Sequence, residues 1–598
     1  MRSVCVFFLP LMLLLPVVAA AAQPAADLEA RRKALNDLLA EQWEYTLRTS
    51  PEFASILGDK RYNDRLSDVS LKAVMEDLEM TRKFLARFEA IDTSGFPEQE
   101  ALNKALMVRD LKQQLDFAPF KEWEMLVNQM SGPHLQMPQL VALLAFTNVK
   151  DYEDYIARLR RFPKVLDDTI DHMRHGMADH LMPPRFLLEK VATQADNIVT
   201  ADVEKSPFAQ PLAKFPDSIS EPDRKRLHDE TIAAIRESIN PAYVKFAKFV
   251  REQYAPQGRT EAGIWSLPDG GPRYAAMVTR STTSNLTPEE IHQLGLKQVA
   301  EIETQMLAIA QKLGYKDLKT FNADIEKDPK LHAHSRQQIL DLYRSYTDTM
   351  WKQLPTAFGR LPKAKLEVMP IEEFHEKEAA THYNQGTPDG SRPGHVMVNT
   401  GDFEHRKLIN IESTAYHEGV PGHHLQISIA QELPELPPFR QQAFYGAYIE
   451  GWALYCEKLG KEMGFYKDPY SDYGRLQDEM LRAIRLVVDT GFHYKHWTRQ
   501  QVVDYFHAHS AIDEPEVQSE TDRYIAWPAQ ALSYKIGQLK ILELRERARK
   551  QLGDKFDLRA FHDQVLDAGA LPLNVLETRM DEWVVAQSQG TGGTAVAK

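Results

Sequence analysis

Residues 413–430 read STAYHEGVPGHHLQISIA, with three histidines and a glutamate inside the eight residues His417–His424. In a helical HExxH motif the two histidines stand four residues apart, about one turn at 3.6 residues per turn. Both imidazoles then reach one metal, and the glutamate beside the first can take a proton from metal-bound water. Here the position of the second histidine is held by Pro421. Proline has no N–H for the His417 carbonyl, and its ring clashes there, so a regular helix cannot run through. Without a deviation His423 would point roughly 240° around the helix from His417. Gly419 and Gly422 flank the proline, and glycine makes a local bulge inexpensive. With that bulge His423 becomes the second ligand, and His424, one residue on, turns away from the metal. The competing expectation is a polar helix with surface histidines.

The next helical run, QQAFYGAYIEGWALYCEKLG (441–460), carries Glu450 twenty-seven residues after His423. That spacing leaves room for a loop and a returning helix, which can bring a third ligand to the two imidazoles. His417, His423 and Glu450 then form a tetrahedral zinc site with one open position. Tyr448, Trp452 and Leu454 surround Glu450 in sequence, and a carboxylate among apolar side chains needs a partner. Cys456, on the same helix, is expected to be packed rather than reactive. Just upstream, KLEVMPIEEF and HYNQGTPDGSRPGHVMVNT alternate as strands do, around a turn signal at Thr387–Gly390. A small sheet should lie beside the histidine helix, its edge open to an extended peptide.

Two later stretches supply candidates. Asp489 and His493 are four residues apart on one helix face. Asp489 would orient a ligand imidazole and His493 would bind a substrate carbonyl, or the two form only a local pair. Pro528 is read as the start of a helix carrying Gln530, Tyr534 and Lys535. Tyr534 is the candidate donor to a tetrahedral oxyanion, with Arg523 and Tyr524 as alternatives; against this stands an ordinary core tyrosine.

The rest of the 598-residue chain has mostly helical periodicity. Leu28, Leu35, Leu38, Leu39 and Trp43 form one amphipathic stripe, and Thr287-Pro288-Glu289-Glu290 is a capping box opening another helix. Residues 255–285, richer in Gly, Pro, Ser and Thr, read as a junction. Residues 1–22 have the pattern of a cleavable signal: Arg2, an apolar run Val4–Val18, and Ala20–Ala22 before Gln23. Cys5 leaves with it, so Cys456 alone remains and no internal disulfide can form. The net charge of −13 argues against nucleic-acid binding, and no later run is apolar enough to span a bilayer. The expected organisation is a signal (1–22), an N-terminal helical region (23–280), a catalytic region (281–588) and a flexible tail (589–598).

HEGVPGHHLQ (417–426), YIEGWALYCE (448–457), RLVVDTGFH (485–493) and DRYIAWPAQALSYKIGQLKI (522–541), with DGSRPGHVMVNT (389–400) before them, resemble the bacterial domain-of-unknown-function family 885. That family is similar in turn to helical gluzincin metallopeptidases such as thimet oligopeptidase and angiotensin-converting enzyme. The resemblance implies a mainly α, zincin-like bundle with a small β-sheet beside the active-site helices. It implies His417 as first ligand, Glu418 as general base, His423 as second ligand and Glu450 as third. Unlike those enzymes, the chain has two extra residues between its histidines. The expected protein is a periplasmic or secreted Zn2+ peptidase, one ion per chain, acting on short peptides. The rivals are a non-catalytic peptide- or metal-binding protein and a hydrolase of another amide or ester.

Overall fold

A computed structural model defines the fold over residues 22–371, 376, 380–387, 390 and 392–589. The expected signal lies outside these residues apart from Ala22, as do Pro388 and Asp389 of the expected turn and all of the tail after Gln589. The fold is mainly α, with one three-stranded sheet among the described residues. No described helix is long and apolar enough to cross a membrane.

The predicted stripe becomes the helix Ala22–Thr49, with Leu35, Leu38 and Leu39 buried. The N-terminal helices then build a core of their own from Val127 to Ala255. The boundary expected at residue 280 does not divide the packing, because Leu106, Ile264, Tyr274 and Val278 belong to the core of the C-terminal half. The expected junction also contains a helix, Gly270–Thr282, whose buried Tyr274, Met277 and Val278 outweigh its Gly/Pro/Thr-rich composition.

Eight helices position the candidate site. They are α1 (Pro288–Lys312), α2 (Arg336–Trp351), α3 (Ile411–Glu418), α4 (His423–Gln431), α5 (Gly446–Glu462), α6 (Pro469–His493), α7 (Glu514–Ala526) and α8 (Ser533–Leu552). The α1 capping box forms as read, with Thr287 and Glu290 satisfying each other's backbone N–H. Strands β1 (Leu366–Pro370), β2 (His382–Asn384) and β3 (Gly394–Val398) give the order β1-β3-β2, with β1 parallel and β2 antiparallel to β3. Val368, Val396 and Val398 pack with Ile339 and Tyr343 of α2 and Ile411 and Ala415 of α3. The sheet is thereby fastened to the helix that ends in His417-Glu418, and β2 is left as an edge.

Helices α5 and α8 cross at two glycines. A Cβ on Gly537 would lie 1.8 Å from the Ala447 carbonyl oxygen, and one on Gly451 would lie 2.4 Å from the Gly537 Cα. Only glycine permits that approach. It sets Glu450, beside Gly451, and Tyr534, one turn before Gly537, on walls of the same cavity. Pro528 does not start α8. The chain passes through Ala529 at φ 66° and a short 3-10 turn at Gln530–Leu532, and the helix opens at Ser533.

Candidate metal centre

The chain interrupts its helix altogether rather than bulging within it. Helix α3 ends at Glu418, residues 419–422 form a loop with a cis Val420–Pro421 bond, and α4 restarts at His423. The Gly422 N–H donates to the Tyr416 carbonyl at 3.0 Å, and the His424 N–H to that of Gly419 at 3.1 Å. A Cβ on Gly422 would lie 2.0 Å from the His417 carbonyl oxygen, so the reversal demands glycine there. From α5, the Trp452 indole N–H donates to the Pro421 carbonyl at 2.9 Å, and the Cys456 thiol approaches it at 3.3 Å. Cys456 is a packed, buried thiol.

This break brings the two imidazoles together. The rings of His417 and His423 stand 4.8 Å apart and nearly perpendicular. His417 Nε2 lies 3.6 Å and His423 Nε2 3.5 Å from Glu450 Oε2. All three ligand atoms fall within 4.8 Å of one another. Bonds of about 2.1 Å in a tetrahedron give ligand–ligand edges of about 3.4 Å, so the Glu450 separations fit a small divalent ion. Two imidazoles and a carboxylate suit zinc. On its far side, His417 Nδ1 donates to Glu457 Oε1 at 2.7 Å, which presents Nε2 to the cluster. His423 Nδ1 is buried with no hydrogen-bond partner among the described residues. Burial opposes a charge on His417, yet Glu450 and Glu457 together raise its pKa to about 10. The same imidazoles outweigh burial at Glu450 and hold its carboxyl well below the usual range.

Glu418 and Tyr534 line one cavity of about 760 Å³ with the three cluster residues. The same cavity is lined by Thr381 and by His382 and Tyr383 of β2. Tyr534 lies between two guanidiniums: that of Arg485 is 4.7 Å from its ring centroid, and Arg523 Nη2 donates to its oxygen at 3.4 Å. Burial and the nearby Glu450 push the phenol pKa up, and the two arginines oppose them.

A family model described as bacterial protein of unknown function (DUF885) matches residues 51–580. The chain belongs to that family. No curated protein matches the sequence. This DUF885 protein is similar over 93% of its length, at 30% identity and a TM-score of 0.87, to the crystal structure of a "putative lipoprotein" from Colwellia psychrerythraea, 99% of which is covered. A "putative lipoprotein of unknown function" from Shewanella oneidensis shares the fold at 17% identity and a TM-score of 0.68, over 92% of this chain and 99% of that one.

Of the residues singled out in the DUF885 sequence, the structure brings together His417, Glu418, His423, Glu450, Arg523 and Tyr534. His424 turns away as expected, its Nδ1 3.0 Å from the Tyr383 hydroxyl and its Nε2 3.2 Å from the Ala364 carbonyl, which ties α4 to the sheet. His493 is not brought to the cavity. Its Nδ1 accepts from the Ile264 N–H at 3.0 Å and its Nε2 donates to the Tyr524 carbonyl at 2.9 Å, so neither nitrogen is left for a substrate. Asp489 orients no ligand imidazole either; it accepts from the Tyr274 hydroxyl at 2.6 Å and from the Ala529 N–H. Tyr524 is buried behind the wall, bonded to Glu520 and Arg485. The carboxylate–imidazole contact expected of Asp489 is made instead by Glu457, two turns after Glu450 on α5, with His417. The sequence signal of Glu457 was its seven-residue spacing from Glu450, which puts both carboxylates on one helical face.

Proposed function

We propose that this protein is an exported zinc-dependent peptidase acting on short peptides, built on a zincin-like arrangement of α3, α4 and α5. The observation that carries the reading is the convergence of His417, His423 and Glu450 with Glu418 beside them in one cavity. A zinc ion held by those three side chains would supply Lewis acidity, lowering the pKa of water and polarising the scissile carbonyl. Glu418, whose carboxylate is not needed as a ligand, accepts the proton of the attacking water and returns it to the leaving nitrogen. Arginine can only donate, so the Tyr534 oxygen accepts from Arg523 and keeps its own O–H for the oxyanion of the substrate. The β2 edge offers backbone groups to an extended peptide. Export is supported by the signal-like residues 1–22 and by the description of the Colwellia relative as a "putative lipoprotein".

Hydrolysis of a mixed peptide library by metal-loaded protein tests the reading. Glu418→Gln should keep stoichiometric metal and lose turnover by about 10²–10⁴-fold, since only proton transfer is removed. Undiminished turnover in that variant ends the general-base role. A metal-loaded wild type that binds peptides without cutting any points instead to a binding protein.

A further inference from the structure

Phe444 is the most exposed large apolar residue described, at 70%. Single exposed apolar side chains are common on outer surfaces, but this one lines the candidate catalytic cavity with Ile427 and Ile449. It sits where α5 begins: a Cβ on Gly446 would lie 3.9 Å from the Phe444 ring and 3.5 Å from Ser533, the residue before Tyr534. The ring therefore borders the same stretch of wall as Tyr534 and, through Ile449, Glu450.

The exposure is imposed by the residues on either side. The Tyr445 hydroxyl donates to the Asp110 carboxylate at 2.9 Å, and the Arg109 guanidinium lies 5.4 Å from its ring centroid. Arg440, 1% exposed, donates to Asn103 at 2.7 Å and to the Ala568 carbonyl. Both anchors reach the helix Glu98–Phe117 of the N-terminal half. The segment is clamped on both flanks, and the ring between them stays 70% exposed. A fixed apolar surface beside charged groups rewards a ligand that buries it.

We infer that Phe444, with Ile427 and Ile449, forms a subsite for a bulky apolar side chain next to the scissile bond. The substrates are then peptides with an aromatic or large aliphatic residue at that position. This rests on the peptidase reading and adds a side-chain preference to it. Phe444 is a specificity residue and takes no part in the proton transfers.

The test is a series of blocked peptides identical except for Phe, Leu, Ala or Asp next to the cut bond, assayed with wild type, Phe444→Ala and Phe444→Leu. Wild type should prefer Phe and Leu over Ala and Asp. Phe444→Ala should lower kcat/KM for the Phe peptide about 10–100-fold while changing the Ala peptide less than about threefold. Phe444→Leu should recover part of the loss. An unchanged melting temperature would show that the exposed ring was not supporting the fold. Cleavage without side-chain preference, or a preference that survives Phe444→Ala, overturns this inference and leaves the peptidase reading intact. Failure of metal-loaded wild type to cut any peptide overturns both.

Discussion

Two regions of this protein place histidines and carboxylates close together, and they do opposite things with them. At His417, His423 and Glu450 the ionisable atoms face one another in a cavity, and a buried nitrogen of His423 has no partner among the described residues. Around Asp489 and His493, every ionisable atom is taken by a backbone N–H, a backbone carbonyl or the Tyr274 hydroxyl. Burial holds His493 neutral, lowering its pKa to about 3, and raises that of Asp489 to about 7. The same residue types are a candidate ligand set in one place and rivets between segments in the other. What separates them is whether the fold consumes their hydrogen-bonding capacity.

The sharpest way to break this contrast is at the adjacent histidines. His423→Ala should abolish stoichiometric zinc, because the remaining two ligands hold the ion poorly, whereas His424→Ala should bind zinc nearly normally. Metal analysis after dialysis reads both, and the reverse pattern would move the site one residue along. A smaller effect is expected one layer out. Tyr534→Phe should lower kcat about 100-fold with little change in KM, as for a donor used chiefly in the transition state. Unfolding of that variant would instead make the phenol a core group. Smaller again is Glu457→Gln, which keeps the shape but weakens the bond that orients His417. Zinc affinity should fall about 10–100-fold in a chelator competition.

The riveted region should show no effect on metal at all. Asp489→Asn retains an oxygen for Tyr274 and Ala529 and should leave zinc stoichiometry unchanged. Its signature is in stability against pH. A carboxyl raised to about 7 binds its proton in the folded state before the unfolded one, so it adds stability as pH falls from 7 towards 4. His493, lowered to about 3, does the reverse between pH 6.5 and 3. In wild type the two slopes offset each other. Removing the Asp489 contribution should make the variant lose roughly 2 kcal/mol relative to wild type between pH 7 and 5. Parallel denaturation midpoints across that range would sink the assignment.

Much of this was legible in the chain. The helical stripe of Leu35, Leu38 and Leu39, the capping box at Thr287, the strands before the histidines and the interruption at Pro421 are all local, set by periodicity and by which backbone groups can donate. The nearness of His423 rather than His424 to His417 also followed from local chemistry, since two glycines and a proline admit few paths. Pro528 misled because proline favours a helix start, yet Asp489 captures the Ala529 N–H and delays α8 to Ser533. The Gly/Pro/Thr-rich stretch near 270 misled because burial of Tyr274 and Val278 outweighs weak helix propensity.

Sequence alone determined that this is a mainly helical protein carrying a broken histidine helix, a returning acidic helix and a small sheet between turns. Those features depend on neighbours within a few residues, where sterics and hydrogen-bond supply decide. Only tertiary structure decided which distant groups meet. The Gly451–Gly537 crossing sets Tyr534 near Glu450, Glu457 reaches back to His417, and His493 is spent on Ile264 and Tyr524. An imidazole or carboxylate carries no mark of its future partner; its role follows from the atoms that long-range packing sets within about 3 Å of it.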